Sequence, residues 1–109
     1  MPIIYHVTTD AEWKSALKKG VYEAFSLQSE GFIHCSEDRQ VAGVLERYFK
    51  GKNGLVKLVI DTDKLTSKLV YDWSPSTADT FPHIYGAINT GAVIEIVQLP
   101  DQLAVTGSL

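Results

Sequence analysis

Two stretches of the chain follow one order, in which a short strand carrying a single histidine runs into hydroxyl residues that can start a helix. The first strand is predicted at 3–8 and the second at 32–35, because side chains alternate between two faces in each. Several more strands follow the second helix. This order predicts an α+β domain in which two helices pack on a mainly antiparallel sheet.

Each of the two strands is followed by residues that favour a helix start. Thr9 and Glu12 fit a capping box, and Gly20 supplies a stop. Ser36 is predicted to cap the second helix, whose apolar residues recur at helical spacing over 41–49.

The remainder of the chain is read from its periodicity. Residues 21–30 lack a helical or alternating pattern and are predicted to be loop, whereas 55–60 are almost wholly apolar, as in a central strand covered on both faces. The polar segment 74–79 is a candidate flap. Further strands are predicted at 68–73, 83–88 and 93–99.

Length and cysteine content limit the architecture. A chain of 109 residues with 45% apolar composition suits one domain, 1–109, with one core. Its single cysteine, Cys35, cannot form an internal disulfide and is expected to be a small buried apolar residue.

Charge and hydropathy exclude some partners. A net charge of −3 and only two arginines argue against a general nucleic-acid binder, although a small anionic ligand stays compatible with this charge. No segment has the roughly 18 apolar residues of a membrane span. A cytoplasmic protein, monomeric by default, is therefore expected.

The three histidines, His6, His34 and His83, are the candidate site residues because each interrupts an apolar or aromatic run near a strand end. Each also fits a structural role: a core or edge hydrogen bond for His6, a loop brace for His34 and turn support for His83. Helix N-termini beside His6 and His34 would favour an anion. Taken together, the three favour a shared cleft.

Two carboxylates leave alternatives open. Asp72 is predicted to orient a histidine, to bind a ribose hydroxyl or to be a solvated strand-end residue. Glu95 lies within an apolar strand, where it is either on a solvated face or held in a site.

Several segments together resemble the bacterial family described as domain of unknown function 952, over nearly the whole chain. The resemblance is carried by Gln40, Asp61, Asp72 and the segments Tyr5-His6-Val7-Thr8, Glu30-Gly31-Phe32-Ile33-His34-Cys35-Ser36 and Phe81-Pro82-His83-Ile84-Tyr85-Gly86. It implies a fold like that of ADP-ribosyltransferases, in which a split sheet holds NAD in a central cleft and a first-strand histidine contacts the nicotinamide ribose.

The resemblance also implies site roles. His6 matches the first-strand histidine and His34 is the second-strand site residue, and these two with His83 are the catalytic candidates. Tyr85 would stack on a ring of the ligand. The full set expected to bind the cofactor, NAD, is His6, Thr8, Ser26, His34, Ser36, Asp72 and Tyr85.

Three functions stay open on this reading. The first is an NAD-using transferase or glycohydrolase, and the second is a module that binds a nucleotide without turning it over. The third is a metal-dependent enzyme with His6, His34 and His83 around an open water position. Acidic partners at close spacing, which ligating histidines usually have, are not evident in the sequence, so no bound metal is expected.

Overall fold

The structure, a computed structural model, describes residues 2–102, and within these the chain forms three small antiparallel sheets and three α-helices. The elements in chain order are β1 Ile3–Thr9, α1 Asp10–Lys19, β2 Val21–Tyr22, α2 Phe25–Glu30, β3 Ile33–His34, α3 Val41–Tyr48, β4 Leu55–Asp61, β5 Lys68–Ser74, β6 Asp79–Tyr85, β7 Ile88–Asn89 and β8 Val93–Gln98. The predicted α+β class is confirmed. The additional helix α2 and the division into three sheets were not predicted.

The first sheet has β4 at its centre, between β1 and β8. Apolar side chains on both faces of β4 are buried, which confirms the central strand expected from its continuous apolar run. His6 on β1 lies opposite Leu58 on β4.

The second sheet places β6 between β3 and β5, and the third pairs β2 with β7. In the second sheet, His34 on β3 is directly opposite His83 on β6. The predicted flap 74–79 forms the tight connection of the β5–β6 hairpin, in which Ser74 pairs with Asp79.

One apolar core connects the three sheets and α1. Because apolar burial is the main driving force of folding, this shared core fixes how the sheets meet. Its buried members are Ile4, Trp13, Ala16, Tyr22, Ile33, Cys35, Val56, Leu58, Ile60, Ile84, Ile88 and Ala92. Cys35 is buried here, as expected.

The prediction of loop at 21–30 was wrong, because this segment contains β2 and α2. A two-residue strand is too short to show alternation, and α2 has no fully buried side chain, so neither leaves a periodic pattern. Tertiary contacts hold α2 instead: Ser26 Oγ donates to the carbonyl of Phe32 at 2.8 Å. Gly31, at a φ of 90°, ends the helix in the left-handed region that favours glycine.

The helix expected to start at Ser36 starts later. The backbone of Ser36 exchanges two hydrogen bonds with that of Tyr5, of 2.7 and 2.8 Å, and this bridge keeps it extended. Glu37 caps a 3₁₀ turn in a capping box with Gln40, and α3 follows.

Candidate functional site

An open cleft of about 1240 Å³ lies among the end of β1, the start of α1, α2, β3, the end of α3 and the β5–β6 hairpin. His6, His34 and His83 all line it. The structure thus brings the three histidines to one cleft, although they differ in burial and in partners.

His6 is buried, and both of its ring nitrogens have partners within the protein. Nδ1 donates to the carbonyl of His34 at 2.5 Å, and Nε2 is 2.8 Å from the hydroxyl of Tyr22. Burial lowers the pKa of His6 from 6.5 to about 4, despite the backbone hydrogen bond to His34, which raises it. His6 therefore connects β1 to β2 and β3 as a neutral imidazole, and a direct contact with ribose would require one of these partners to move.

A line of hydroxyl groups continues from His6 to the cleft wall. The Tyr22 hydroxyl lies 3.0 Å from Thr8 Oγ1, and Thr8 donates to Glu12 Oε1 at 2.6 Å. Burial raises the pKa of Tyr22 to about 12. The amide of Glu12 donates to the Thr9 side chain, as predicted, but the Glu12 carboxylate goes to Thr8, outside the expected capping box.

His83 is oriented by a carboxylate. Its Nδ1 lies 2.8 Å from Asp72 Oδ2, which also accepts from the Tyr85 hydroxyl at 2.5 Å. These two hydrogen bonds, that of Tyr85 first, lower the pKa of Asp72 below its usual value. Asp72 thus orients a histidine, His83, which is one of the roles considered for it in the sequence. With Nδ1 donating to Asp72, neutral His83 has its unprotonated nitrogen at Nε2.

His34 faces His83 across the second sheet. Their ring centroids are 5.1 Å apart and nearly perpendicular, and Phe32 stacks on His83 at 4.1 Å. His34 is exposed, and its Nε2 lies 3.1 Å from Glu30 Oε2. Two histidine–carboxylate pairs therefore lie side by side at one wall of the cleft.

The other predicted binding residues divide into two groups. Thr8, Ser26 and Ser36 line the cleft. Asp72 and Tyr85 lie beside His83, outside the lining, and the Tyr85 ring is 5.3 Å from that of Phe32 rather than open for stacking in the cleft. Glu95, on β8, is exposed to solvent and also lies outside the lining.

Several lining residues were not predicted. Arg47 and Lys52 add cationic groups from the end of α3 and the segment after it, while Glu12 and Glu30 add carboxylates. Three exposed aromatic residues, Phe25, Trp73 and Tyr48, line the cleft with 78%, 63% and 62% of their surface accessible. Arg47 is on the polar side of an amphipathic helix, where nothing in the sequence distinguishes a site residue from a solvated charge.

Metal binding by the three histidines has no geometric support. Among residues 2–102, no three histidine, cysteine, aspartate or glutamate side chains form a group able to hold a metal ion. The nitrogens of His6 are directed to His34 and Tyr22 instead.

Comparison with known proteins supports a family assignment. The family described as "Protein of unknown function (DUF952)" matches residues 7–96. The crystal structure of protein CC0527 from Caulobacter crescentus is 28% identical, covers 91% of this chain and 87% of its own, and has a TM-score of 0.83. The solution NMR structure of CC0527 gives 29% identity, 91% and 85% coverage and a TM-score of 0.77. No curated protein matches.

None of the helices within 2–102 has the length and apolarity needed to cross a membrane.

Proposed function

Since the chain belongs to the DUF952 family of proteins of unknown function, we propose that it binds NAD or a related ADP-ribosyl nucleotide in the cleft and acts on it as a transferase or glycohydrolase. The likeness to ADP-ribosyltransferases rests on the sequence segments around His6, His34 and His83. The proposal that the ligand binds in the cleft is based on the residues that line the cleft.

The observation that carries the proposal is the meeting of cationic and hydroxyl groups in one cleft. Arg47 and Lys52 line the cleft together with Thr8, Ser26 and Ser36. Cations and hydroxyls are the groups that bind phosphate and ribose oxygens, and an arginine can hold a phosphate through two parallel hydrogen bonds.

The size and the aromatic lining of the cleft support the same ligand class. Drug-sized ligands occupy pockets of roughly 300 to 1000 Å³, and this cleft, at about 1240 Å³, leaves room for a dinucleotide. Phe25 and Trp73 offer exposed ring faces for an adenine or nicotinamide ring.

The histidine–carboxylate pairs supply the chemistry of the hydrolytic reaction. When the bond between nicotinamide and ribose breaks, its electron pair leaves with nicotinamide, and the ribosyl carbon becomes electron-poor. The carboxylate of Glu30 stabilises that positive charge. Water adds to the carbon and gives its proton to Nε2 of His83, which Asp72 holds in the required tautomer. In a transferase, an acceptor hydroxyl takes the place of water.

Binding is tested by calorimetry with NAD and ADP-ribose. Losing a hydrogen bond to a charged group costs about 1.5 to 3 kcal/mol, so Arg47→Ala and Lys52→Ala should each weaken binding by roughly ten- to a hundredfold. Lys50→Ala is the matched control, because Lys50 is exposed, has the same charge as the mutated residues and lies outside the lining. Equal affinities in all four proteins would contradict the assignment, and no binding at millimolar ligand would remove it.

Turnover separates an enzyme from a binding module. Release of nicotinamide from NAD by the wild type, lost in His83→Ala with NAD binding retained, is the expected result for an enzyme. Binding without nicotinamide release, in water and with added acceptors, would favour the module.

A further inference from the structure

Four short contacts join His6 to the cleft wall in an unbroken line, called the His6–Glu12 chain below. From one end to the other they join the His34 carbonyl, the two ring nitrogens of His6, the Tyr22 hydroxyl, the Thr8 hydroxyl and the Glu12 carboxylate. The distances are 2.5, 2.8, 3.0 and 2.6 Å. Both ends of this line, a carbonyl and a carboxylate, can only accept hydrogen bonds.

Counting hydrogens shows that this line is one proton short. A neutral imidazole, a tyrosine hydroxyl and a threonine hydroxyl have one hydrogen each, which makes three hydrogens for four contacts. If Tyr22 donates to Thr8 and Thr8 to Glu12, as the geometry has them, then Nε2 of His6 has to donate to Tyr22 while Nδ1 donates to His34. Both nitrogens are protonated only in the imidazolium form.

Burial opposes the imidazolium. His6 is surrounded by protein, and its pKa of about 4 keeps the ring neutral near pH 7. With a neutral ring and an ionised Glu12, one contact joins two oxygen lone pairs without a hydrogen between them. This contact is the Tyr22–Thr8 contact, at 3.0 Å the longest of the four, because Tyr22 then turns its hydrogen to His6 and Thr8 keeps its own on Glu12.

One proton added to Glu12, at the outer end of the chain, supplies the missing hydrogen. A Glu12 carboxylic acid donates to Thr8, Thr8 donates to Tyr22, Tyr22 donates to Nε2 of His6, and Nδ1 of His6 donates to His34. Every contact then has one hydrogen and no group in the line is charged. We propose that the His6–Glu12 chain takes up one proton in this way and holds it as the carboxylic acid of Glu12, in the wall of the cleft.

The surroundings of the chain include other titratable groups. His34 faces the inner end, Cys35 lies near Tyr22, and Glu30 is paired with His34. Arg47 and Lys52 line the same cleft as Glu12. Glu12 is exposed to solvent, whereas His6 is buried. The stored proton is therefore available to a group bound in the cleft, for which the acid form of Glu12 is a proton donor.

Nuclear magnetic resonance of the free protein tests the proposal without any ligand. The ¹³C resonances of the Glu12 carboxyl and of Tyr22 Cζ should change together as the pH falls, because Thr8 reverses its hydrogen bond when Glu12 is protonated. While the pH stays above about 4, where burial keeps the ring neutral, the ¹⁵N resonances of His6 should retain the pattern of a neutral ring. Tyr22→Phe removes the hydroxyl that accepts from Thr8 when Glu12 is protonated, so the change at the Glu12 carboxyl should move to lower pH.

Two variants separate this chain from the general charge of the cleft. Glu12→Gln supplies the missing hydrogen from its amide and should abolish the titration of Tyr22 Cζ. Glu30→Gln, which removes a carboxylate that also lines the cleft but is paired with His34, should leave that titration unchanged. Independent titration of Glu12 and Tyr22 in the wild type, or an imidazolium signature at His6 clearly above pH 4, would overturn the proposal. Both of these readings come from the unmodified protein.

Discussion

At the scale of single residues, His6 is a titratable group buried among apolar neighbours. The folded protein holds it neutral with a pKa of about 4, whereas an unfolded chain protonates histidine near 6.5. Between these two values the unfolded state binds more protons than the native state, so stability falls as the pH is lowered. Well above pH 6.5 the ring is neutral in both states and has no such effect.

This difference predicts an acid-dependent loss of stability that depends on one side chain. Between pH 7 and pH 5 the wild type should lose about 2 kcal/mol of unfolding free energy through His6. His6→Gln, which has no titrating group, should lose correspondingly less over the same interval in urea unfolding. The same pH dependence in both proteins would show that the His6 ring is protonated in the folded state.

The sequence identified His6 but could not identify its partners. Its place on an alternating strand near a helix start marked it as a candidate. Tyr22, however, comes from a two-residue strand whose pairing with β7 joins distant parts of the chain. Contacts of this kind depend on tertiary structure and leave no local pattern.

At the scale of elements, the 3₁₀ turn Asp38–Gln40 attaches the start of α3 to the β5–β6 hairpin. The buried side-chain amide of Gln40 donates to Asp79 and to the carbonyl of Thr80, both at 2.9 Å. Arg39 adds a paired contact to the Asp79 carboxylate at 2.8 and 3.0 Å. Arg39, with Gln40 second, holds the pKa of Asp79 well below its usual range.

The two side chains should differ in their effect on stability. Gln40→Ala removes one donor from the part-buried carbonyl of Thr80 and one from the Asp79 carboxylate, which keeps its contact with Arg39, and should cost about 1 to 3 kcal/mol of unfolding free energy. Arg39→Ala removes only an exposed ion pair, whose effect solvent weakens, so its cost should be clearly smaller. Urea unfolding of both variants at one pH measures the difference, and an equal or larger loss for Arg39→Ala would contradict this assignment.

Elements with a strong local signal were predicted, and those held by distant contacts were not. β1, α1 and the central β4 follow from alternation, a cap and an apolar run. The second helix starts later than expected, because Ser36 is held extended by its bridge to Tyr5. The cleft cations Arg47 and Lys52 belong to this second class, since their meeting with Thr8 and Ser36 depends on how separate elements pack.

At the scale of the whole molecule, the core makes the three sheets depend on one another. Ile4 and Leu58 of the first sheet, Ile33 and Ile84 of the second and Ile88 of the third are all buried in one cluster. The cleft lies between elements of these sheets, so its geometry depends on the same core. A domain of this size that shares one core should unfold in a single cooperative transition.

The two tryptophans allow this cooperativity to be tested at two separate elements. Trp13 is buried on α1, and Trp73 is exposed on β5, so Trp73→Phe and Trp13→Phe each leave one fluorescent reporter. In each variant, fluorescence and circular dichroism should give the same urea midpoint. Adding Ile84→Ala, which empties a fully buried position of the second sheet, should cost about 2 to 5 kcal/mol and lower both fluorescence midpoints together. If only the Trp73 signal moved, the second sheet would be unfolding separately, and the cleft wall that contains His34 and His83 would be an independent unit.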